Sequence, residues 1–151
     1  MAMTLKDRLA RVTGVWTGTY THLKPNGELL DHHTSRQETR LEGEQWYERI
    51  VYRWPDGRAQ SLDFRAAFNA AGEMIFDDPN FQGATFIVNE NVLVFPYRWK
   101  GQPPGHHVVE TIVLAHDDYK SRVWQTFENG ELVKVTVITE RRTDEQPAIW
   151  Y

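Results

Sequence analysis

In the stretch LLDHHTSRQETR, residues 29–40, the groups able to do acid–base and anion chemistry recur at even spacing: His32, Arg36 and Glu38, with Thr34 between them. That is the period of a β-strand, in which alternate side chains share a face. A neutral imidazole gives or takes a proton near pH 7. A guanidinium holds a carboxylate or a developing oxyanion, and two carboxylates beside one guanidinium can have their pKa values pushed apart. The same row serves equally well as a buried ion-pair network. Other chemistry is excluded by composition. The chain has no cysteine, hence no thiol nucleophile, zinc–thiolate site or disulfide. Its net charge of −4 argues against general nucleic-acid affinity, and no serine sits in a nucleophile elbow.

The row needs a scaffold. Residues 4–12 form a short helix, with Thr4 as its cap and Leu5, Leu9 and Val12 on one face. From 14 to 142 the pattern is strands and turns: about ten runs, near 14–23, 29–40, 44–54, 58–69, 73–77, 84–88, 92–100, 106–115, 119–127 and 131–142. Glycine-ended triplets separate many of them: PNG 25–27, LEG 41–43, PDG 55–57, AAG 70–72 and ENG 128–130. Each suits a three-residue hairpin loop, a type I turn followed by a left-handed glycine, with a two-residue turn as the alternative at the Asn-Gly and Asp-Gly pairs. A meander this long closes on itself, because closure removes the exposed edges. The expectation is one all-β domain over 1–151: a closed antiparallel up-and-down barrel of about eight to ten strands, a short N-terminal helix, and a tail over 143–151. No apolar run spans a membrane and the N-terminus lacks the apolar core of a signal peptide, so a cytoplasmic location is expected.

The first strand, GVWTGTY, follows the helix with a Gly-x-Trp. With GVWTGTYTHLKPNGELLD and the later YRWPDG, the chain resembles the lipocalin-like (calycin) superfamily, and within it a bacterial group described only as a domain of unknown function. The resemblance implies a barrel with an internal pocket, with Trp16 at the closed end beneath Arg141 or Arg142. It supplies no reaction and no catalytic residue. Nitrobindin-type haem barrels share this architecture, but their proximal-histidine motif is not found here.

Three-residue loops fix the register, and register fixes the faces. PNG pairs Lys24 with Glu28 and turns His32, Arg36 and Glu38 inward beside Tyr20, with His33 outside. LEG pairs Arg40 with Glu44, so Trp46, Glu48, Ile50, Tyr52 and Trp54 face in and Arg36 meets Glu48. PDG and AAG then turn Gln60, Leu62, Phe64, Ala66, Phe68, Met74 and Phe76 inward, and Leu93, Phe95, Tyr97 and Trp99 follow. ENG suggests Tyr119, Ser121, Val123, Gln125 and Phe127 inside, with Val133, Val135 and Val137. The turn HDD leaves either His107, Val109 and Thr111 or His106, Val108 and Glu110 facing in.

The function expected is binding of a small, largely apolar and aromatic molecule inside the barrel, leaning towards a cofactor-free acid–base enzyme of lyase, isomerase or cyclase type. Its catalytic set is His32, Arg36, Glu38, Glu48 and Tyr52. Tyr20, Trp46, Trp54, Phe64, Phe95, Tyr97, Trp99 and His107 contact the ligand. A carrier or sensor of a hydrophobic ligand is the alternative, and a haem or metal barrel comes third. His32, Glu38 and His106 or His107 would suit zinc or iron by type, but no compact motif such as His-Glu-x-x-His supports them. No metal or cofactor is therefore assigned. The partners expected are the small molecule and, beyond it, a second copy of the chain in a homodimer.

Overall fold

A computed structural model describes residues 3–148. Strands β1 (Gly14–Leu23), β2 (Leu29–Glu42), β3 (Gln45–Arg53), β4 (Ala59–Phe68), β5 (Met74–Asp77), β6 (Phe81–Asn89), β7 (Val92–Trp99), β8 (His106–His116), β9 (Tyr119–Glu128) and β10 (Glu131–Arg142) follow one short helix, α1 (Leu5–Ala10). Each strand pairs antiparallel with its neighbours in sequence, and β1 pairs with β10 to close the barrel. The tail expected over 143–151 is anchored at its start, where Thr143 N donates to Val15 O. Its final residues, Ile149, Trp150 and Tyr151, lie outside the described residues. No helix among the described residues is long and apolar enough to cross a membrane.

Helix α1 stoppers one end. Thr4 Oγ1 accepts from Asp7 N, and Leu5 and Leu9 point into the core. Arg8, buried, donates to Glu90 O and pairs with Asp117 at 2.9 Å, tying the helix to two hairpin turns. Beneath it Trp16, fully buried, donates from Nε1 to Val12 O. Of the two arginines the resemblance left open, Arg142 is the one that covers Trp16; it pairs opposite it across β1 and β10.

Three turns form as expected. At PNG, PDG and AAG the flanking residues pair across a three-residue loop whose glycine is left-handed. Two others differ. LEG closes as a two-residue loop that pairs Glu42 with Gln45. ENG takes the two-residue alternative: Asn129 and Gly130 both have positive φ and Glu128 pairs with Glu131, the type I′ geometry that Asn-Gly favours.

The PNG hairpin is correct at its tip and wrong beyond it. Leu23 pairs with Leu29 but His22 pairs with Asp31, so Leu30 is an extra residue, a β-bulge. The bulge reverses the faces of β2. His33, Ser35 and Gln37 are inside; His32, Thr34 and Arg36 are on the outer face. Glu38 is buried, yet it belongs to that outer face, sealed by Arg36, which also reaches Glu145 of the tail. The shorter LEG loop reverses the phase again. The inward faces of β3, β4 and β5 are therefore as expected, and Thr39, not Arg36, lies opposite Glu48.

On β9 and β10 the strand partners are near those expected and the faces are inverted. Lys120, Arg122 and Thr126 point inward with Thr136, Ile138 and Glu140. Val123 and Val137 are exposed outside, and Val135 shares that outer face. On β8 the inward set is His106, Val108 and Glu110. His107 is outside, stacked on Phe127 at 5.1 Å between ring centres.

Candidate functional site at the barrel mouth

Two spaces divide the interior. Near α1 lies a cavity of about 70 Å³ walled by Trp46, Phe76, Phe81 and Phe95, with Glu48, Glu110, Lys120 and Arg122 on its polar side. It is far below the roughly 300–1,000 Å³ of a ligand site. At the opposite end the barrel opens into a mouth of about 430 Å³ lined by Tyr20, Tyr52, Trp54, Trp99 and Trp124, with His22, Asp31 and His33 along one wall. The mouth is the candidate site.

The histidine wall is built by the bulge. Reversing β2 at Leu30 brings His33 inward beside His22 of β1, and their Nε2 atoms lie 2.9 Å apart. Their partners fix the protons. His33 Nδ1–H donates to Thr34 O at 3.2 Å, which leaves its Nε2 as a lone pair. His22 Nε2–H therefore donates to His33, and His22 Nδ1 accepts from Thr136 Oγ1 at 2.9 Å. Burial lowers both imidazoles, with Lys134 adding to the effect at His22, whose pKa falls to about 4. Both are neutral at pH 7. Asp31 completes the wall: its carboxylate accepts from Trp54 Nε1 and from His32 N, each at 2.9 Å.

Tyr20 joins the mouth to the interior. Its ring stacks on His33 at 4.8 Å and meets Tyr52 edge-on at 5.1 Å. Its hydroxyl accepts from Arg122. Arg122 also donates to Glu140 at 2.7 Å and 3.2 Å and to Glu110 at 3.0 Å, all of them buried. Lys120 donates to Gln37 at 2.6 Å and lies 4.3 Å above the Trp16 ring. The two carboxyls titrate in opposite directions. Burial raises Glu110, and Arg122 only partly opposes it. Burial would also raise Glu140, but Arg122 and Lys120 outweigh it and hold it below its ordinary value. Glu140 has room because β1 has no side chain at Gly18: a Cβ there would lie 2.5 Å from Glu140 Cγ and 2.3 Å from Thr139 O.

Of the expected site residues, Tyr20, Tyr52, Trp54 and Trp99 meet at the mouth. Trp46, Glu48 and Phe95 line the inner cavity. Phe64 and Tyr97 pack in the ring cluster around Phe81. His32, Arg36, Glu38 and His107 do not reach the interior. An arginine between two carboxylates does exist, but it is Arg122, not Arg36. His22, Asp31, His33, Glu110, Arg122 and Glu140 escaped the sequence reading as site residues. One signal could have found two of them: taking Arg142 as the partner of Trp16 turns Glu140 inward, and the β9–β10 ladder then brings Arg122, together with Lys120, inside with it.

No curated protein matches the chain in sequence. Among solved structures it is similar to a protein of unknown function from the DUF3598 family of Nostoc punctiforme, at 18% identity over 89% of this chain, with a TM-score of 0.71. The chain spans about half, 49%, of that protein. It also superposes on the S-type phycobiliprotein lyase CPES of Guillardia theta, at 12% identity over 95% of each chain, TM-score 0.75. A third likeness is to Rv2717c of M. tuberculosis, at 12% identity over 89% of this chain and 94% of the other, TM-score 0.61. Such identities speak for the fold, the lipocalin-like calycin barrel. Residues 4–145 match the model described as "Domain of unknown function (DUF3598), N-terminal", and the chain belongs to that family.

Proposed function

We propose that the barrel binds a small, planar, aromatic molecule at its mouth. The observation that carries this reading is a cavity of about 430 Å³ in which Trp54, Trp99 and Trp124 stand around a polar wall of His22, Asp31 and His33. Indole faces supply stacking area, and convergent polar groups fix orientation. The test is a titration of the purified protein with aromatic acids and phenols, followed by tryptophan fluorescence and native mass spectrometry. One-to-one saturable binding that weakens about tenfold or more in Trp54→Ala supports the reading. No saturation by any member at millimolar concentration overturns it.

Turnover of the bound molecule by lyase- or isomerase-type proton transfer is the second reading. The observation favouring it is the hydrogen-bond chain from Thr136 through His22 to His33 at the wall of the mouth, two neutral imidazoles between which a proton can pass once a substrate displaces the His22 Nε2–H bond to His33 Nε2. The acid–base role moves from His32 to its neighbour His33. His33→Gln is expected to lower turnover by roughly 10²–10⁴-fold and to leave ligand affinity within a few-fold. Binding without conversion leaves a carrier.

A further inference from the structure

We propose that His22, His33 and Asp31 form a site for a divalent first-row transition ion of octahedral preference, such as Fe(II) or Co(II), whose open positions face the mouth and take an anionic oxygen of the aromatic ligand. The choice of ligand rests on the reading of the mouth as the binding site; the metal site itself does not.

The geometry points to a metal in three ways. The two imidazole Nε2 atoms and a carboxylate oxygen of Asp31 all lie within 4.8 Å of one another. Metal–nitrogen bonds of about 2.1 Å spanning the 2.9 Å between the Nε2 atoms enclose an angle of roughly 90°. That is the cis angle of an octahedron; a tetrahedral ion would need them about 3.4 Å apart. Two histidines and one carboxylate on one face, with the remaining positions open, is the donor set that suits a non-haem divalent ion.

The second layer is also present. Ligating histidines donate their other N–H to an oxygen, which fixes the ring and raises its basicity. His33 Nδ1 already donates to Thr34 O. His22 Nδ1 already faces Thr136 Oγ1, and moving its proton from Nε2 to Nδ1 frees Nε2 and turns the existing contact into a donated hydrogen bond. Asp31 is oriented by Trp54 Nε1 and is half-exposed, so its carboxylate can swing towards the imidazoles. Charge names the ligand class. A divalent ion with one carboxylate leaves a net charge of +1 at the mouth, where the one lysine of the lining, Lys100, is already paired with Asp77 at 2.7 Å. A phenolate or carboxylate oxygen balances the metal while the ring lies among the indoles.

The test uses the whole protein freed of metal with EDTA and titrated with Co(II), read by calorimetry and visible absorption. The expected result is one ion per chain at micromolar or tighter dissociation constant. His33→Ala and His22→Ala should each weaken it at least 100-fold. Asp31→Asn, at a half-exposed position that does not threaten folding, should weaken it tenfold or more, and Thr136→Val about tenfold through the second layer. His107→Ala and His116→Ala should not change it. Failure to bind at one equivalent, or binding that survives the Asp31 and histidine changes, overturns the proposal. Aromatic ligands are titrated separately into the EDTA-treated and Co(II)-loaded protein. Ligand binding without Co(II) binding defeats the metal site alone, and Co(II) binding without any ligand defeats the reading of the mouth alone.

Discussion

Replacing Glu140 by Gln is expected to cost far more than the same change at Glu110, although both carboxylates are buried against Arg122. Glu140 receives two hydrogen bonds from Arg122, at 2.7 Å and 3.2 Å, and lies 3.9 Å from Lys120. Gln at 140 leaves two buried cations with Glu110, a group that burial already pushes towards its neutral form, and Glu48 across the inner cavity, neither of which replaces the paired hydrogen bonds of Glu140. Removing one partner of such a pair costs about 3–5 kcal/mol. At about 2–4 °C per kcal/mol for a domain of this size, the melting temperature should fall by roughly 6–20 °C. Gln at 110 leaves Arg122 bonded to Glu140 and Tyr20, and an amide oxygen can still accept from it, so the loss should be about 1 kcal/mol. The pH dependence separates them further. Glu140 titrates below its ordinary 4.5 in the folded chain, so its stabilisation is complete above that value and is lost as the pH falls through the lowered one. That share of the acid loss should vanish in Glu140→Gln. Glu110 has the opposite sign: its folded value is raised, so its contribution declines as the pH rises from 4.5 through that value, and Glu110→Gln should remove this decline. Denaturant unfolding from pH 3 to 8 checks both. Equal losses in the two variants, or a Glu140→Gln protein as stable as the parent, would refute the reasoning.

Gly18→Ala should destabilise the barrel by about 1–3 kcal/mol or more, read by urea unfolding, because its Cβ meets both Thr139 O and the Glu140 stem. Arg36→Met should leave ligand affinity unchanged in the fluorescence titration, since Arg36 is outside with Glu38 and Glu145. Tyr20→Phe should keep the fold and the ring contact with His33 but release the Arg122 hydrogen bond; a stability loss of about 1–3 kcal/mol by unfolding is expected, with ligand affinity changed by less than tenfold.

The barrel was legible because closure follows from many short strands with glycine-ended turns, and PNG, PDG and AAG form as their residues dictate. The face of β2 was not. Leu29 and Leu30 are both exposed at a hairpin tip, so burial places no demand on either and the bulge between them leaves no mark in the apolar pattern. The two-residue LEG loop reverses the phase a second time, which is why Trp46, Ile50, Tyr52 and Phe64 lie inside although the face of β2 is the opposite of the one expected. On β9 and β10 the valines invite an inward reading, and the charged residues between them look solvated. The true interior carries Lys120, Arg122 and Glu140, whose burial is tolerable only because they pair with one another and with β1, β2 and β8. Pairing of that kind depends on neighbours far apart in sequence, and alternation along one strand does not report it. The mouth was half legible: its aromatic rings were expected, and its histidines were placed one residue away, at His32 in place of His33.

Ligand is expected to bind at the mouth and not in the inner cavity. That placement is tested most directly by the indole N–H resonances of the ¹⁵N-labelled protein during titration with the tightest aromatic acid or phenol. Saturable shifts are expected for Trp54, Trp99 and Trp124, which line the mouth, and none for Trp16 or Trp46 at the closed end. Shifts of Trp46 and Trp16 with the three mouth indoles unmoved would contradict it.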